Sequence, residues 1–172
     1  MRRTLAHGFT LIELLLALAV LAVLTVSATP SLLELLDRQR LRGAAENLRG
    51  DLLLARAEAL RLNVPVSVSF RLDGAGGGWC YALSDAGPCD CRPGGACALA
   101  GAPAHGTDSA RFPRIGLATN LRLRTATFQP ARGTVNAGTV TLTAGAQTVD
   151  VVLSTLGRIR LCSDQLGGYP PC

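Results

Sequence analysis

The chain has 172 residues, a formal net charge of +5 and 17 basic residues, all of them arginine. Because the sequence contains no lysine, a Walker-type phosphate loop and a lysine Schiff base are both excluded. Aromatic residues make up 4% of the chain, which argues against a platform that binds nucleic-acid bases by stacking. The length accommodates one membrane helix and one soluble domain of about 110–140 residues.

The chain begins with a short basic segment, residues 1–8, that is followed by a long apolar run. Every residue from Leu14 to Leu24 is apolar, and only three hydroxyl-bearing residues interrupt the run before Pro30. Residues 9–29 would form about 31 Å of helix, which matches the hydrocarbon thickness of a bilayer. We therefore predict a transmembrane helix over 9–29. Glu13 needs an explanation there, because a carboxylate at that depth costs about 2.5–3.5 kcal/mol.

The string Gly8-Phe9-Thr10-Leu11-Ile12-Glu13 resembles the processing site of a type IV prepilin. The resemblance implies that residues 1–8 are a leader, which a prepilin peptidase removes by cutting between Gly8 and Phe9, and that Phe9 is N-methylated. It also implies that Glu13 neutralises the amino terminus of a neighbouring subunit during assembly, since paired charges lose part of their cost in lipid. A secretory signal peptide cut near 26–28 is the alternative, and the acid inside the apolar run argues against it.

A helical pattern continues over residues 30–62. Apolar residues recur there at alternating steps of four and three, which predicts an amphipathic helix whose apolar stripe packs on a sheet. The stripe consists of Leu41, Ala45, Leu48, Leu52, Ala55, Ala59 and Leu62. The leader arginines predict that this half of the helix, with the domain that follows, lies in the periplasm.

Beyond Pro65 the pattern changes to alternation with a period of two, which predicts a half-buried strand over 64–71 and an antiparallel partner over 79–83. Further strands are predicted at 121–128, 132–136, 139–143, 147–154 and 157–162. A helix followed only by strands indicates an α+β fold, in which a long N-terminal helix packs on an antiparallel β-rich globular domain over 63–172. This order of elements resembles the GspH/FimT family of minor pilins and type II secretion pseudopilins, within the type IV pilin superfamily.

Six cysteines predict disulfides and an oxidising compartment. They are Cys80, Cys89, Cys91, Cys97, Cys162 and Cys172. The first four lie in or near the segment 85–107, which is predicted to be a disulfide-tied surface loop without regular structure. Their spacing is not that of a zinc-binding motif, so no metal is expected. Because close cysteines pair most readily, Cys162 and Cys172 are the first expected pair, and the other pairings stay open.

Gly157-Arg158-Ile159-Arg160 is the second informative string. In a strand, Arg158 and Arg160 would project from one face about 7 Å apart, close to the spacing of successive phosphates along an extended nucleic-acid strand. One guanidinium group can donate two parallel hydrogen bonds to the oxygens of a phosphate. The string also resembles a motif of FimT-type minor pilins that is implicated in DNA capture for natural transformation. The resemblance implies DNA binding by Gly157, Arg158 and Arg160, and the alternative is solubilising surface charge.

Other arginines are candidates for supporting roles in DNA binding. Residues 101–172 carry seven arginines against three aspartates, which indicates an anionic partner. Arg122 and Arg124 alternate with apolar residues on the predicted strand 121–128. The remaining candidates are Arg111, Arg114 and Arg132. Binding through such residues would be led by phosphate contacts and largely independent of DNA sequence.

The resemblance implies a structural subunit of a pilus or pseudopilus that assembles from the inner membrane. Its expected partners are other pilins or pseudopilins, the prepilin peptidase, the inner membrane and DNA. In one hypothesis the chain is a DNA-binding minor pilin; in the other it is a type II secretion pseudopilin that binds no DNA. No cofactor, small-molecule substrate or enzymatic activity is expected, and a Ser-His-Asp arrangement using His105 and Asp108 is the one catalytic alternative.

Overall fold

The computed structural model describes residues 10–74, 78–100, 102–103 and 105–172, with the side chains of all of these except 26–31 and 102–103. The predicted processing site, Gly8 and Phe9, therefore lies outside the described residues. The chain divides into two compact units, Met1–Leu36 and Asp37–Cys172. Helix α1 spans Leu11–Leu62, so its residues belong to both units.

In the first unit, α1 begins with a capped turn and carries exposed apolar side chains. Thr10 Oγ1 accepts a hydrogen bond from the backbone N–H of Glu13 at 3.3 Å, as is typical of an N-cap threonine. Large apolar side chains are exposed from Leu11, at 77%, to Leu24, at 59%. Within the described residues, no helix is both long and apolar enough to cross a membrane. The transmembrane assignment of 9–29 stays a prediction.

The second unit has its own hydrophobic core, to which α1 contributes the stripe that the sequence predicts. The stripe residues buried to 1% exposure or less are Leu41, Ala45, Leu48, Leu52, Ala55 and Ala59. Leu62 is partly buried at the end of the helix. Burying each leucine contributes about 1.5–3 kcal/mol, so the stripe holds this part of the helix against the strands.

Ten strands follow the helix among the described residues. They are β1 Val66–Leu72, β2 Trp79–Ser84, β3 Ala98–Leu99, β4 Ala102–Pro103, β5 Gly106–Asp108, β6 Gly116–Thr119, β7 Thr125–Phe128, β8 Gly138–Ala144, β9 Gln147–Leu153 and β10 Ile159–Cys162. The first sheet has the order β5-β2-β1-β7, the second has β10-β9-β8-β6, and β3 pairs with β4. All pairings are antiparallel. The predicted α+β fold is therefore confirmed.

Two strand predictions are wrong: the first half of 121–128 and the whole of 132–136. Residues Arg122–Arg124 form a single 3₁₀ turn, and only the second half of 121–128 is a strand, β7. Leu123 has a left-handed backbone, with φ of 55°, and its side chain is 81% exposed, so the alternation of Arg and Leu does not mark a strand here. The segment 132–136 is a turn with one isolated bridge, between Phe128 and Val135.

The cysteine-rich segment 85–107 is more regular than predicted, since it contains β3 and β4 and the start of β5. Its first part also covers the outer face of the first sheet. The Cys89 N–H donates to Ser69 Oγ at 3.1 Å, and both Ser67 and Ser69 are buried. Because Val66, Val68 and Phe70 are buried on the opposite face, β1 is buried on both faces, not on one.

All six cysteines form disulfides, as predicted. The pairs are Cys80–Cys91, Cys89–Cys97 and Cys162–Cys172. The third pair is the one expected from the sequence. The first two fasten the segment after β2 to the sheet and to itself, which explains why this segment stays on top of β1.

Candidate functional site

The predicted DNA-binding string lies at a tight turn between β9 and β10. The turn is closed by two backbone hydrogen bonds, from Gly157 N–H to the Ser154 carbonyl at 2.9 Å and from Ser154 N–H to the Arg158 carbonyl at 3.0 Å. Strand β10 begins only at Ile159, so the predicted strand 157–162 starts two residues too early. Gly157 is buried in a left-handed conformation, with φ of +74°.

Gly157 is contacted by two other segments of the second unit, helix α1 and the turn at Gly133. Arg56 Nη1, on α1, donates to the Gly157 carbonyl at 3.2 Å. A Cβ atom at position 157 would collide with the backbone carbonyl oxygen of Gly133. The glycine of the string is therefore required by both its backbone conformation and its surroundings.

Arg158 and Arg160 both point to solvent. Each side chain is exposed, while Ile159 between them is half-buried. The Arg158 carbonyl accepts the Ser154 N–H, and Arg160 lies opposite Val152 of β9. Neither guanidinium has an ion-pair partner within the described part of the chain, so both charges are available to a ligand. The distance of about 7 Å between the two side chains stays a prediction.

The C-terminal tail is tied to the end of β10 by the Cys162–Cys172 disulfide. The backbone N–H of Ser163 donates to the Pro170 carbonyl at 2.9 Å, and the Cys172 N–H donates to Asp164 at 3.1 Å. The carboxylate of Asp150 lies near the two sulfurs and accepts a hydrogen bond from Thr141 at 2.6 Å. Because both thiols are used in the disulfide, this cluster holds no free thiolate ligand for a metal.

The arginines that were candidates for supporting roles lie in different parts of the second unit. Arg122 lies on the 3₁₀ turn and lines a cleft together with Arg71, whereas Arg124 does not line this cleft. Arg114 forms an ion pair with Asp37 at 2.9 Å, which neutralises its charge. Arg132 is exposed in the turn that precedes Gly133, and so lies beside the turn of Gly157.

Arg111 lies at the opposite edge of the first sheet, just beyond β5. Its guanidinium is over the Phe112 ring, at 6.0 Å from the ring centroid. Arg111 is therefore remote, in the order of strands, from the edge at which β7 and the 3₁₀ turn lie.

The catalytic arrangement of His105 with Asp108 is wrong. His105 Nε2 lies 2.8 Å from Asp51 Oδ1 on α1, and the Asp108 carboxylate accepts the backbone N–H of Arg111 at 3.2 Å. The side chain of Tyr81 donates to the other Asp51 oxygen at 2.6 Å, and Asn47 donates to the same oxygen at 2.9 Å. These bonds join the helix to β2 and to the segment before β5.

This polar network was missed from the sequence, although a signal was present. Asp51 is three residues after Leu48 and four before Ala55, so it lies on the buried stripe of α1. A buried carboxylate needs partners, and Asp51 is only 8% exposed. Burial, followed by the hydrogen bond to Asp51, raises the pKa of Tyr81 well above its ordinary value.

At the other end of the chain, Glu13 lies in the first turn of α1, where the helix dipole favours a negative charge. Thr10 and Glu13 have the spacing of a capping box, and the Glu13 N–H is bound by Thr10 Oγ1. The same helix face carries small and apolar residues at steps of four, among them Ala17 and Leu21.

A long N-terminal helix followed by an antiparallel β-rich domain, with an acidic residue near the helix start, defines a type IV pilin-like subunit. The family model described as type II transport protein GspH matches residues 44–157, and the chain belongs to this family. The model of the prokaryotic N-terminal methylation motif matches residues 3–29. Among curated proteins, no significant match was found.

Two solved structures share the fold. The type IV minor pilin FimU of Pseudomonas aeruginosa PAO1 is 22% identical and has a TM-score of 0.52, and the match covers 75% of this chain and 96% of that one. The minor pseudopilin EpsH from the type 2 secretion system of Vibrio cholerae is 14% identical with a TM-score of 0.51, and the match covers 73% of this chain and 98% of that one. These two likenesses show the fold, whereas membership of the GspH family rests on the family model.

Proposed function

We propose that this chain is a minor pilin that binds DNA phosphates through Arg158 and Arg160 and serves DNA uptake in natural transformation. The observation that carries the proposal is the pair of exposed arginines at the end of the 154–158 turn and the start of β10. Among the described residues no carboxylate pairs with either guanidinium, so a phosphate need not displace an internal partner. Gly157 contributes by allowing the turn, not by contacting the ligand.

The proposed binding is electrostatic. Two guanidinium groups on one edge can each donate two hydrogen bonds to phosphate oxygens, whereas base contacts would require other side chains. Arg132 adds charge beside the same turn. We therefore expect binding that is weakly dependent on DNA sequence and strongly dependent on salt.

The proposal includes the route by which the chain reaches a filament. A prepilin peptidase cuts between Gly8 and Phe9, Phe9 becomes N-methylated, and residues 9–29 hold the subunit in the inner membrane with residues 30–172 in the periplasm. Glu13 then pairs with the amino terminus of a neighbouring pilin, and the small and apolar face with Ala17 and Leu21 packs on other pilin helices. The subunit acts without catalysis.

A type II secretion pseudopilin is the second candidate function. It is favoured by the family model, whose description is type II transport protein GspH, and by the fold shared with EpsH. In this case the arginines contact other pseudopilins or only water, and the chain binds no DNA.

A genetic experiment separates the two candidates. The gene is deleted in its host and replaced by the wild type, by Arg158→Ala/Arg160→Ala, or by Arg49→Ala/Arg61→Ala as a control with the same change in net charge. We expect the first variant to lose DNA uptake while pili and protein secretion stay normal, and the control to keep all three. Loss of secretion in the deletion strain, with normal DNA uptake, would favour the pseudopilin instead.

A further inference from the structure

A cleft of about 890 Å³ lies on the outer face of the first sheet, at the end where β7 forms the edge. Its volume falls within the range of about 300–1,000 Å³ that is common for ligand sites. One wall is the disulfide-tied segment at Pro88, and the other is the turn that contains Thr134 and Asn136. The floor includes Thr125 and Thr127 of β7.

Two basic side chains line the cleft. Arg71 and Arg122 are the charged residues in its lining, which contains no carboxylate. Arg71 is 3.7 Å from Asp90, but this carboxylate is bound much more closely by Arg92, at 2.6 Å. The same Arg92 bonds hold the pKa of Asp90 well below its usual range. Arg71 thus shares the ionised Asp90 carboxylate with Arg92, which also lies 3.8 Å from Asp73.

Arg122 is presented to the cleft by a strained turn. The two residues that follow it, Leu123 and Arg124, are both left-handed, with φ of 55° and 51°. Two hydrogen bonds maintain this conformation, from the Thr125 hydroxyl to the Leu123 carbonyl at 3.1 Å and from Arg124 N–H to the Leu121 carbonyl at 3.0 Å. Left-handed conformations of non-glycine residues concentrate at functional sites. No described residue forms an ion pair with Arg122.

The cleft cannot receive a peptide by strand addition at this edge. The side chain of Asn136 accepts the Thr127 N–H and donates to the Thr125 carbonyl, both at 2.8 Å. These are backbone groups that an added strand would need, so a peptide would lose the main source of affinity in that binding mode. A ligand recognised by guanidinium and side-chain hydrogen bonds fits the cleft better.

The cleft shares a wall with the turn that carries Arg158. The Val135 N–H donates to the Thr155 carbonyl at 3.1 Å, and Gly133 lies directly against Gly157. Val135 and its neighbour Thr134 also line the cleft. The two pairs of arginines are thus connected by one short turn, with exposed Arg132 beside it.

We infer that the cleft is a second phosphate-binding subsite, in which Arg71 and Arg122 bind a further segment of the DNA that contacts Arg158 and Arg160. This inference rests on the proposed function. It predicts that short oligonucleotides reach only one pair of arginines, whereas longer ones reach both and gain affinity from the cleft.

The test measures binding of fluorescently labelled short and long DNA oligonucleotides across a salt series. Because the first unit exposes apolar side chains, the full chain is used in detergent micelles. We compare Arg71→Gln/Arg122→Gln with Arg158→Ala/Arg160→Ala. Arg49→Gln/Arg61→Gln, which removes two charges from α1, is the control for lost charge. The cleft variant should bind long DNA several-fold more weakly, with a salt slope reduced by up to about 2, and keep most of its affinity for short DNA.

The outcomes distinguish the two proposals. If only Arg158→Ala/Arg160→Ala weakens binding and the cleft variant behaves like the Arg49→Gln/Arg61→Gln control, the cleft inference is overturned and the proposed function stands. If the wild type binds no DNA of either length, both fail. If the cleft variant binds DNA normally but is lost from filaments, the cleft binds a neighbouring subunit, which also overturns the inference.

Discussion

At the scale of single residues, Gly157 determines where the two proposed DNA-binding side chains, Arg158 and Arg160, lie. Its left-handed backbone turns the chain from β9 into β10, and its surface contacts Gly133 and Arg56. Arg158 follows directly, so any change that moves this turn also moves the guanidinium groups. In the proposed function, the glycine therefore positions the two arginines, and the arginines contact the phosphates.

Replacing Gly157 by alanine should destabilise the second unit and weaken DNA binding together. The left-handed backbone costs an alanine about 1–2 kcal/mol, and the Cβ collision with the Gly133 carbonyl adds to this. Gly145→Ala is the matched control, because Gly145 also has a positive φ, of 58°, but open space around its Cβ position. Thermal unfolding should show a larger loss for Gly157→Ala than for Gly145→Ala, and equal losses would contradict the role of the Gly133 contact.

Two proposed roles of Glu13 can be separated by experiment: a charge for assembly, and a capping-box partner of Thr10. Glu13→Gln removes the charge but keeps a side chain that can cap, whereas Thr10→Ala removes the cap at a cost of about 0.5–2 kcal/mol and keeps the charge. If charge pairing governs assembly, Glu13→Gln should insert into the membrane but be depleted from sheared filaments. Thr10→Ala should be incorporated, as judged by immunoblot. The reverse pattern would assign Glu13 to helix capping alone.

At the scale of elements, the network around Asp51 connects α1 to the first sheet and makes the fold sensitive to high pH. Burial raises the pKa of Tyr81, and burial together with the charge of Glu46 raises that of Tyr169. A pKa raised in the folded state gives stability that is complete below the unfolded value, near 10.0, and is lost as pH rises through the folded value.

The absence of lysine makes this prediction easy to measure. Arginine does not titrate in this range, so tyrosine is the main titrating side chain above pH 9, and the chain has two tyrosines. Tyrosinate absorbance of the folded protein should rise only above pH 10, and in denaturant it should rise near 10. Tyr81→Phe should show less loss of stability above pH 10 than the wild type. A normal tyrosine titration in the folded protein would contradict the network.

The elements that the sequence predicted well are those whose pattern is long. The stripe of α1 extends over six turns, and β8 and β9 alternate over seven residues each, so local periodicity alone is sufficient for them. The predictions that were wrong concerned segments with a short pattern, or segments whose burial is determined by residues distant in the sequence. The alternation at 121–124 is too short to distinguish a strand from a left-handed turn, and the burial of Ser67 and Ser69 depends on a segment that disulfides hold in place.

The same distinction applies to the candidate site. The two arginines and their glycine could be found as a string, because their spacing is local. The cleft could not, since Arg71 and Arg122 are 51 positions apart in the sequence and meet only through the pairing of β7 with β1. Likewise, His105 pairs with a helix residue 54 positions away and not with its neighbour Asp108.

At the scale of the whole chain, positive charge is concentrated in the part that folds into the strands. Residues 101–172 contain seven arginines and three aspartates, and Arg114 is neutralised by Asp37 of the helix. Most of the exposed large apolar side chains lie in the first unit, at the opposite end of the sequence. One end of the chain is therefore suited to assembly and the other to an anionic ligand.

The most direct measurement of the central claim is the affinity of the full chain in detergent micelles for duplex DNA across a salt series. Arg158→Ala/Arg160→Ala is compared with Arg49→Ala/Arg61→Ala, which removes the same charge from α1. We predict salt-dependent binding by the wild type and by the control. The Arg158→Ala/Arg160→Ala variant should lose most of its affinity, with a salt slope lower by about 2. No binding by the folded wild type at low salt, or equal losses in the two variants, would contradict the claim.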